Sequence, residues 1–205
     1  MTATKGELTR ERIVASAASL FNRRGYAGAS MSDLMAAAGL EKGGLYRHFD
    51  SKQAIATAAF DLAAKLHGDR IRAHLSVAPS DASSRLVAVA AAMASIAVDP
   101  PIAGGCPLLN TAIESDDAEG EVYPALRARA RAGMRRLLAT IERIVADGVS
   151  RGEFRAGTNA RVEASGVVAT MEGALMLTKL NDDPAHLAWA VDRVRERARV
   201  LASLT

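Results

Sequence analysis

Ser30-Met-Ser-Asp-Leu-Met-Ala-Ala-Ala-Gly-Leu-Glu-Lys-Gly-Gly-Leu-Tyr-Arg-His-Phe49 is the stretch on which the reading of this chain turns. Ser30 is a favoured helix N-cap, and Asp33 at the third helical position completes a weak capping box. Leu34, Met35 and Ala38 recur at helical spacing and face inward. Gly39 then supplies a residue that tolerates a left-handed turn. A second short helix follows, carrying Lys42, Tyr46, Arg47 and His48. Two short helices joined by a tight turn, the second one basic, make a helix-turn-helix over about residues 30–49. In that arrangement the first helix braces while the second lies in a DNA major groove.

The flanks extend the pattern. Upstream, Arg12-Ile-Val-Ala-Ser-Ala-Ala-Ser-Leu-Phe-Asn-Arg-Arg-Gly25, followed by Tyr26, reads as a helix closed by glycine. Downstream, Tyr46-Arg-His-Phe-Asp-Ser-Lys-Gln-Ala-Ile55 leads into another helix. Together these segments resemble the DNA-binding domain of the tetracycline-repressor (TetR) family of bacterial transcription regulators, whose corresponding junction reads Tyr-x-His-Phe-x-Ser-Lys-x-x-Leu. The resemblance covers roughly residues 8 to 60. It implies an all-α protein of about nine helices. A three-helix helix-turn-helix domain, residues 6–66, would be linked through its fourth helix to a helical effector-binding and dimerisation domain, residues 80–205.

Composition agrees with an all-helical chain. Hydrophobic residues make up 49% and aromatics only 4%, with alanine abundant, whereas β-rich chains lean on branched and aromatic residues. No apolar run approaches the ~20 residues that span a bilayer, and the N-terminus is polar, so the protein is expected to stay in the cytoplasm. A lone cysteine, Cys106, rules out an intramolecular disulfide. Net charge is +3, and residues 1–75 hold eleven Lys/Arg against seven acids, while the remainder holds fifteen against sixteen. A basic N-terminal third suits a polyanionic partner.

Periodicity and breakers divide the chain into helices. The first runs from an N-cap near Thr9 to Arg24, the second over about 31–38 and the third over about 42–48. The fourth starts after Ser51 and reaches about Leu75, and the segment 76–82 is the clearest break. Further helices are expected over about 83–98, 106–115, 121–151, 159–180 and 184–203, with an acidic loop at 116–120.

In the helix-turn-helix, Lys42 is placed to reach phosphate or a guanine edge, and Arg47 is a candidate for bidentate guanine readout. Gly43 and Gly44 let the backbone approach DNA. The family most often has Thr, Ser or Ala at the second of these, so Gly44 removes a hydroxyl contact. Tyr46, His48 and Lys52 are candidates for backbone contacts, and Ser30 for a phosphate contact at a helix N-terminus. Phe49 is read as core.

In the C-terminal domain, Leu187, Val191, Val194 and Leu201 form an apolar stripe, while the preceding helix offers Ala169, Gly173 and Leu175. These residues are the expected dimer interface, which the resemblance makes a four-helix bundle. The resemblance also implies an effector cavity, for which Met93, Cys106, Leu109, Asn110, Ile113, Met134, Met171 and Glu172 are candidates. Cys106, near a helix start, is either an electrophile or oxidant sensor or a buried structural thiol. The arginines 127, 129, 131, 135 and 136 read as a solvated face.

No nucleophile elbow, P-loop, dinucleotide fingerprint or paired metal-ligand spacing is present, so no enzyme, metal or cofactor is indicated. The acidic cluster Glu114, Asp116 and Asp117 is read as solvated. The expected function is a sequence-specific regulator, a repressor released from a palindromic operator by a small molecule. The competing class is a helical dimeric interaction module that has lost DNA binding.

Overall fold

A computed structural model of the chain describes residues 4–115 and 122–202. Among the described residues there are nine helices and no strand. They are α1 (Lys5–Arg24), α2 (Met31–Ala38), α3 (Lys42–Tyr46), α4 (Lys52–Val77), α5 (Ala82–Val98), α6 (Pro107–Glu114), α7 (Val122–Ser150), α8 (Ala160–Asn181) and α9 (Ala185–Ala202). The expected acidic loop, with Asp116 and Asp117, lies outside the described residues.

Most boundaries fall where the cap residues put them. The exception is α1, which begins four residues before Thr9. Thr4 is its N-cap, and Thr4 and Glu7 complete a reciprocal capping box; the Thr9 hydroxyl instead donates back to the Lys5 carbonyl within the helix. A Thr-x-x-Glu box satisfies two orphan amides, where a lone Thr satisfies one. The helix α3 is shorter than expected, closing at Tyr46 with Arg47 as its C-cap.

Among the described residues the chain forms two compact units, residues 4–66 with 101–115 and 122–132, and residues 67–100 with 133–202. The first contains the helix-turn-helix. Its core gathers Ile13, Ala17 and Leu20 of α1, Leu34 and Ala38 of α2, Leu45 of α3, Phe49, and Ile55 and Ala59 of α4. The Arg10 guanidinium covers the Phe49 ring at 4.7 Å. A second cluster joins Ala56 and Phe60 to Val122, Tyr123, Leu126 and Ala130 of α7, flanked by an ion pair between Arg129 and Asp61 at 3.2 Å.

In the second unit, α5 packs against α9 and α8. Leu86 and Val89 of α5, Met171 and Leu175 of α8, and Leu187, Val194 and Leu201 of α9 are all buried. Glu163, almost fully buried on α8, accepts from both the Nε (2.8 Å) and the terminal nitrogen of Arg197 on α9, so its charge is compensated where it is desolvated. Near the start of α5, Glu153 accepts the Ala82 amide at 2.6 Å.

Among the glycines of this unit, the closest approach is at Gly148 of α7. A Cβ there would lie 2.6 Å from the Ala82 Cβ and 2.7 Å from the Phe154 ring, and neither neighbour is a flexible side-chain end. Gly148→Ala is expected to lower unfolding free energy by about 1–3 kcal/mol through overpacking, measured by urea denaturation; an unchanged midpoint would refute the close crossing. His67, buried on α4, has no hydrogen-bond partner for its Nε2. Burial, with help from the Arg70 charge, pushes its pKa down to about 4, so it folds neutral, while the unfolded chain takes up a proton near pH 6.5. Stability contributed above pH 6.5 is therefore lost as pH falls from 6.5 toward 4. Over that window wild type should lose about 3 kcal/mol more than His67→Leu; parallel pH profiles would show that His67 is solvated.

Candidate nucleic-acid interface

The recognition surface is assembled from local geometry outward. Ser30 caps α2, its hydroxyl accepting the Asp33 amide at 3.0 Å, while the Asp33 carboxylate accepts from the Ser30 amide (2.8 Å) and hydroxyl (2.6 Å). These bonds from Ser30, with Arg24 nearby, hold the Asp33 carboxyl below its usual pKa. The reciprocal box differs from the expected phosphate contact in one respect: the Ser30 hydroxyl proton is directed to Asp33. Gly39 then turns the chain in the left-handed region at φ 61°, its amide returning to the Ala36 and Met35 carbonyls.

The short helix α3 is pinned by what it buries. Leu45 is fully buried and Phe49 nearly so. This leaves Lys42, Gly43, Tyr46 and Arg47 exposed on the other side, with Gly44 and His48 half-buried. Tyr46 is 43% exposed, which places its hydroxyl on the surface rather than in the core. At Gly43 a Cβ would meet open space, and at Gly44 it would only touch Leu40 at 3.4 Å. Neither glycine is demanded by packing.

Lys52 departs from the surface expected of it. Its ammonium donates to the Tyr26 carbonyl at 2.5 Å and sits 4.0 Å from the Tyr26 ring centroid. Desolvation lowers its pKa, offset in part by the charges of Glu114 and Asp33. The sequence reading missed Tyr26, Asn22 and Glu114, which meet on the same unit. Glu114, expected to be a solvated acid, accepts the Ala27 amide at 2.9 Å. The available signal was the i, i+4 spacing of Asn110 and Glu114, which puts both on one face of α6.

The candidate effector residues are divided between the two units. Met93, Met134, Met171 and Glu172 belong to the second, with Met93 and Met171 buried; Cys106, Leu109, Asn110 and Ile113 belong to the first. Cys106 is buried and opens α6 ahead of Pro107. Ile113 is 69% exposed, which places it on the surface of α6. The Asn110 amide is spent on Asn22 and on the Gly104 carbonyl. The cavity that Asn110 lines holds about 40 Å³, room for only a few waters at about 10–15 Å³ each. None of the eight lines the open groove formed by α4, α5 and α9 in the second unit. Among the expected dimer residues, Leu175, Leu187, Val194 and Leu201 are buried within the chain's own second unit. Ala169 is exposed, and Gly173 and Val191 are half-buried. The α9 stripe is thus used up by α5 and α8, as a helix's most apolar face packs first against its own chain. Among the described residues no cluster of three or more His, Cys, Asp or Glu could hold a metal, and no helix is long and apolar enough to cross a membrane.

An exposed basic helix, held at a fixed angle by its neighbours after a glycine turn, defines a helix-turn-helix DNA-binding protein. Residues 13–59 match the bacterial regulatory proteins of the tetR family, and residues 82–194 match the tetracyclin repressor-like C-terminal domain. The chain belongs to the TetR family of transcriptional regulators, which are not enzymes. A TetR regulator from Chloroflexus aurantiacus is 44% identical, superposes with a TM-score of 0.91 and is matched over 98% of this chain and 99% of its own. A TetR-family regulator from Cytophaga hutchinsonii is 28% identical over the whole of both chains, with a TM-score of 0.85. An uncharacterized HTH-type transcriptional regulator of Mycobacterium tuberculosis is 29% identical over 129 residues, 62% of this chain; the match spans only 64% of that relative's length.

The open surroundings of Gly43 separate its two possible costs. Gly43→Ala should raise helix stability by up to about 1 kcal/mol, seen as a higher melting temperature. The same methyl group should weaken duplex DNA binding at least tenfold if the backbone there approaches the groove; unchanged affinity would remove Gly43 from the interface.

Proposed function

We propose that the protein is a homodimeric repressor that reads a pseudo-palindromic operator and is released from it by a small molecule. The observation that carries this reading is the exposure of Lys42, Tyr46 and Arg47 on a helix whose opposite side is anchored by Leu45. Arg47 reads a guanine edge, Tyr46 and His48 contact backbone, and Lys42 reaches phosphate or base. Gly43 and Gly44 keep the α3 backbone close to the groove. The start of α2, capped by Ser30, faces a phosphate through its helix N-terminus rather than its hydroxyl.

One such helix covers only a half-site, so specificity calls for two copies spaced by one DNA turn, roughly 34–36 Å. The surface that supports pairing is the outward face of α8 and α9. There Val162, Met176, Leu177, Leu180 and Trp189 are exposed, and Ala169 lies on the same exposed side. Gly166 and Gly173 have open space where a side chain would begin. An apolar face with small residues permits close approach of two helices. The C-terminal domain takes the effector, with Met93, Met134, Met171 and Glu172 as its contacts, and binding shifts the dimer away from operator spacing. The protein acts in the cytoplasm, where its operator is. Burial of Cys106 supports a structural thiol over a sensor.

Selection of bound duplexes from a random pool should enrich an inverted repeat, and sedimentation should show a dimer. Tyr46→Ala should weaken binding to all duplexes alike, whereas Arg47→Ala should relax preference at one base position by about 1–3 kcal/mol. No enriched repeat, or equal losses on every sequence for both variants, would refute base reading by α3.

A further inference from the structure

Two polar clasps, one helical turn apart on α6, hold this helix against the end of α1 and the loop that follows. The first is built on Asn110, whose amide donates to the Asn22 carbonyl (3.0 Å) and side-chain oxygen (2.8 Å); the Asn22 amide donates in turn to the carbonyls of Ala103 and Gly105 at 3.0 and 2.9 Å. The second is built on Glu114. Its Oε1 accepts the Ala27 amide at 2.9 Å and the Tyr123 hydroxyl at 3.4 Å. The carboxylate lies flush on the loop: a Cβ on Gly25, itself at φ 75°, would be 2.8 Å from that oxygen. Across the same loop Lys52 is folded onto Tyr26, whose ring meets Tyr123 edge-on at 5.7 Å.

An ammonium in a half-buried place needs a compensating charge. The carboxylates whose fields reach Lys52 are Glu114 and Asp33. Asp33 is already engaged by the Ser30 amide and hydroxyl and by Arg24 at 3.2 Å. Glu114 is the one seated against the loop that Lys52 grips from the other side. We infer that Glu114 is a positioning residue for DNA binding: it fixes the α1–α2 loop and keeps the Lys52 ammonium turned inward on Tyr26, out of the set of cations that meet DNA phosphate. The inference rests on the DNA-binding reading above. It differs from the resemblance, which puts Lys52 on the DNA backbone.

Salt dependence separates this role from a purely structural one, because each phosphate neutralised contributes about −0.9 to the slope of log K against log salt. Binding of the full-length protein to a random-sequence duplex and to the selected operator would be titrated over a range of salt. Lys52→Met keeps an apolar stem on Tyr26 and removes the charge. If Lys52 is turned inward in the DNA complex, this variant has the wild-type slope; a slope shallower by about 0.9 per protomer would overturn the inference without any change at Glu114. Glu114→Gln keeps an acceptor for the Ala27 amide and deletes the compensating charge. Its slope should steepen by about 0.9 per protomer as Lys52 swings out to phosphate, and the steepening should vanish in the Glu114→Gln/Lys52→Met double variant. An unchanged slope in Glu114→Gln, or equal steepening in the Lys52→Met background, would overturn it. A wild-type protein that binds neither duplex would remove the DNA-binding reading itself, and the inference with it.

Discussion

A five-residue helix containing two glycines has no stability of its own. Helix nucleation is unfavourable, and isolated helices shorter than ~12–15 residues are marginal even with good formers; α3 adds two residues that favour the unfolded backbone. Its geometry is therefore imposed from outside, by the burial of Leu45 and Phe49 against α1, α2 and α4. Every exposed group with a proposed role in DNA recognition depends on that burial. The direction in which Lys42 and Arg47 point is set by the side chain lying between them that never meets DNA. The capping box at Ser30 and the left-handed Gly39 do the same for α2, fixing where it starts and where it stops.

The body that carries the reading helix is larger than the helix-turn-helix. Residues 101–115 and 122–132 pack into the same unit, and the bonds from Asn110 and Glu114 show why: unsatisfied backbone groups at the end of α1 and in the following loop find partners on α6. In the loop Gly25 to Ala29, Ala29 is buried and the Tyr26 ring packs on Phe21 and Tyr123, but the backbone between them still needs polar partners. It is ordered by a carboxylate from one side and an ammonium from the other. That arrangement diverts Lys52 from the role its place in the sequence pattern suggests.

The second unit shows a division of labour between helix faces. The apolar stripe of α9 closes the core with α5 and α8, and the ion pair of buried Glu163 with the exposed Arg197 registers α8 against α9. What remains outside on these helices is less apolar in sequence but exposed in fact, from Val162 to Leu180 on α8 and at Trp189 on α9. Periodicity identifies an apolar stripe without saying whether it faces its own chain or another. The expected interface residues Leu187, Val194 and Leu201 fell on the inner stripe for that reason.

The sequence by itself determined the all-helical class, the position of the helix-turn-helix and nearly every helix boundary. These are encoded by local rules: caps such as Ser30 and Ser51, the glycine turn at 39, and apolar spacing along each helix. The start of α1 slipped where two cap signals competed, Thr4 and Thr9, and α3 closed two residues before its expected end. The tertiary structure alone decided which way long polar side chains turn. Lys52 finds Tyr26, 26 residues away, and Glu114 finds Ala27, 87 residues away. A hydrogen bond between such distant positions leaves no periodic trace in the chain, because it depends on which helices pack together rather than on the residues beside it.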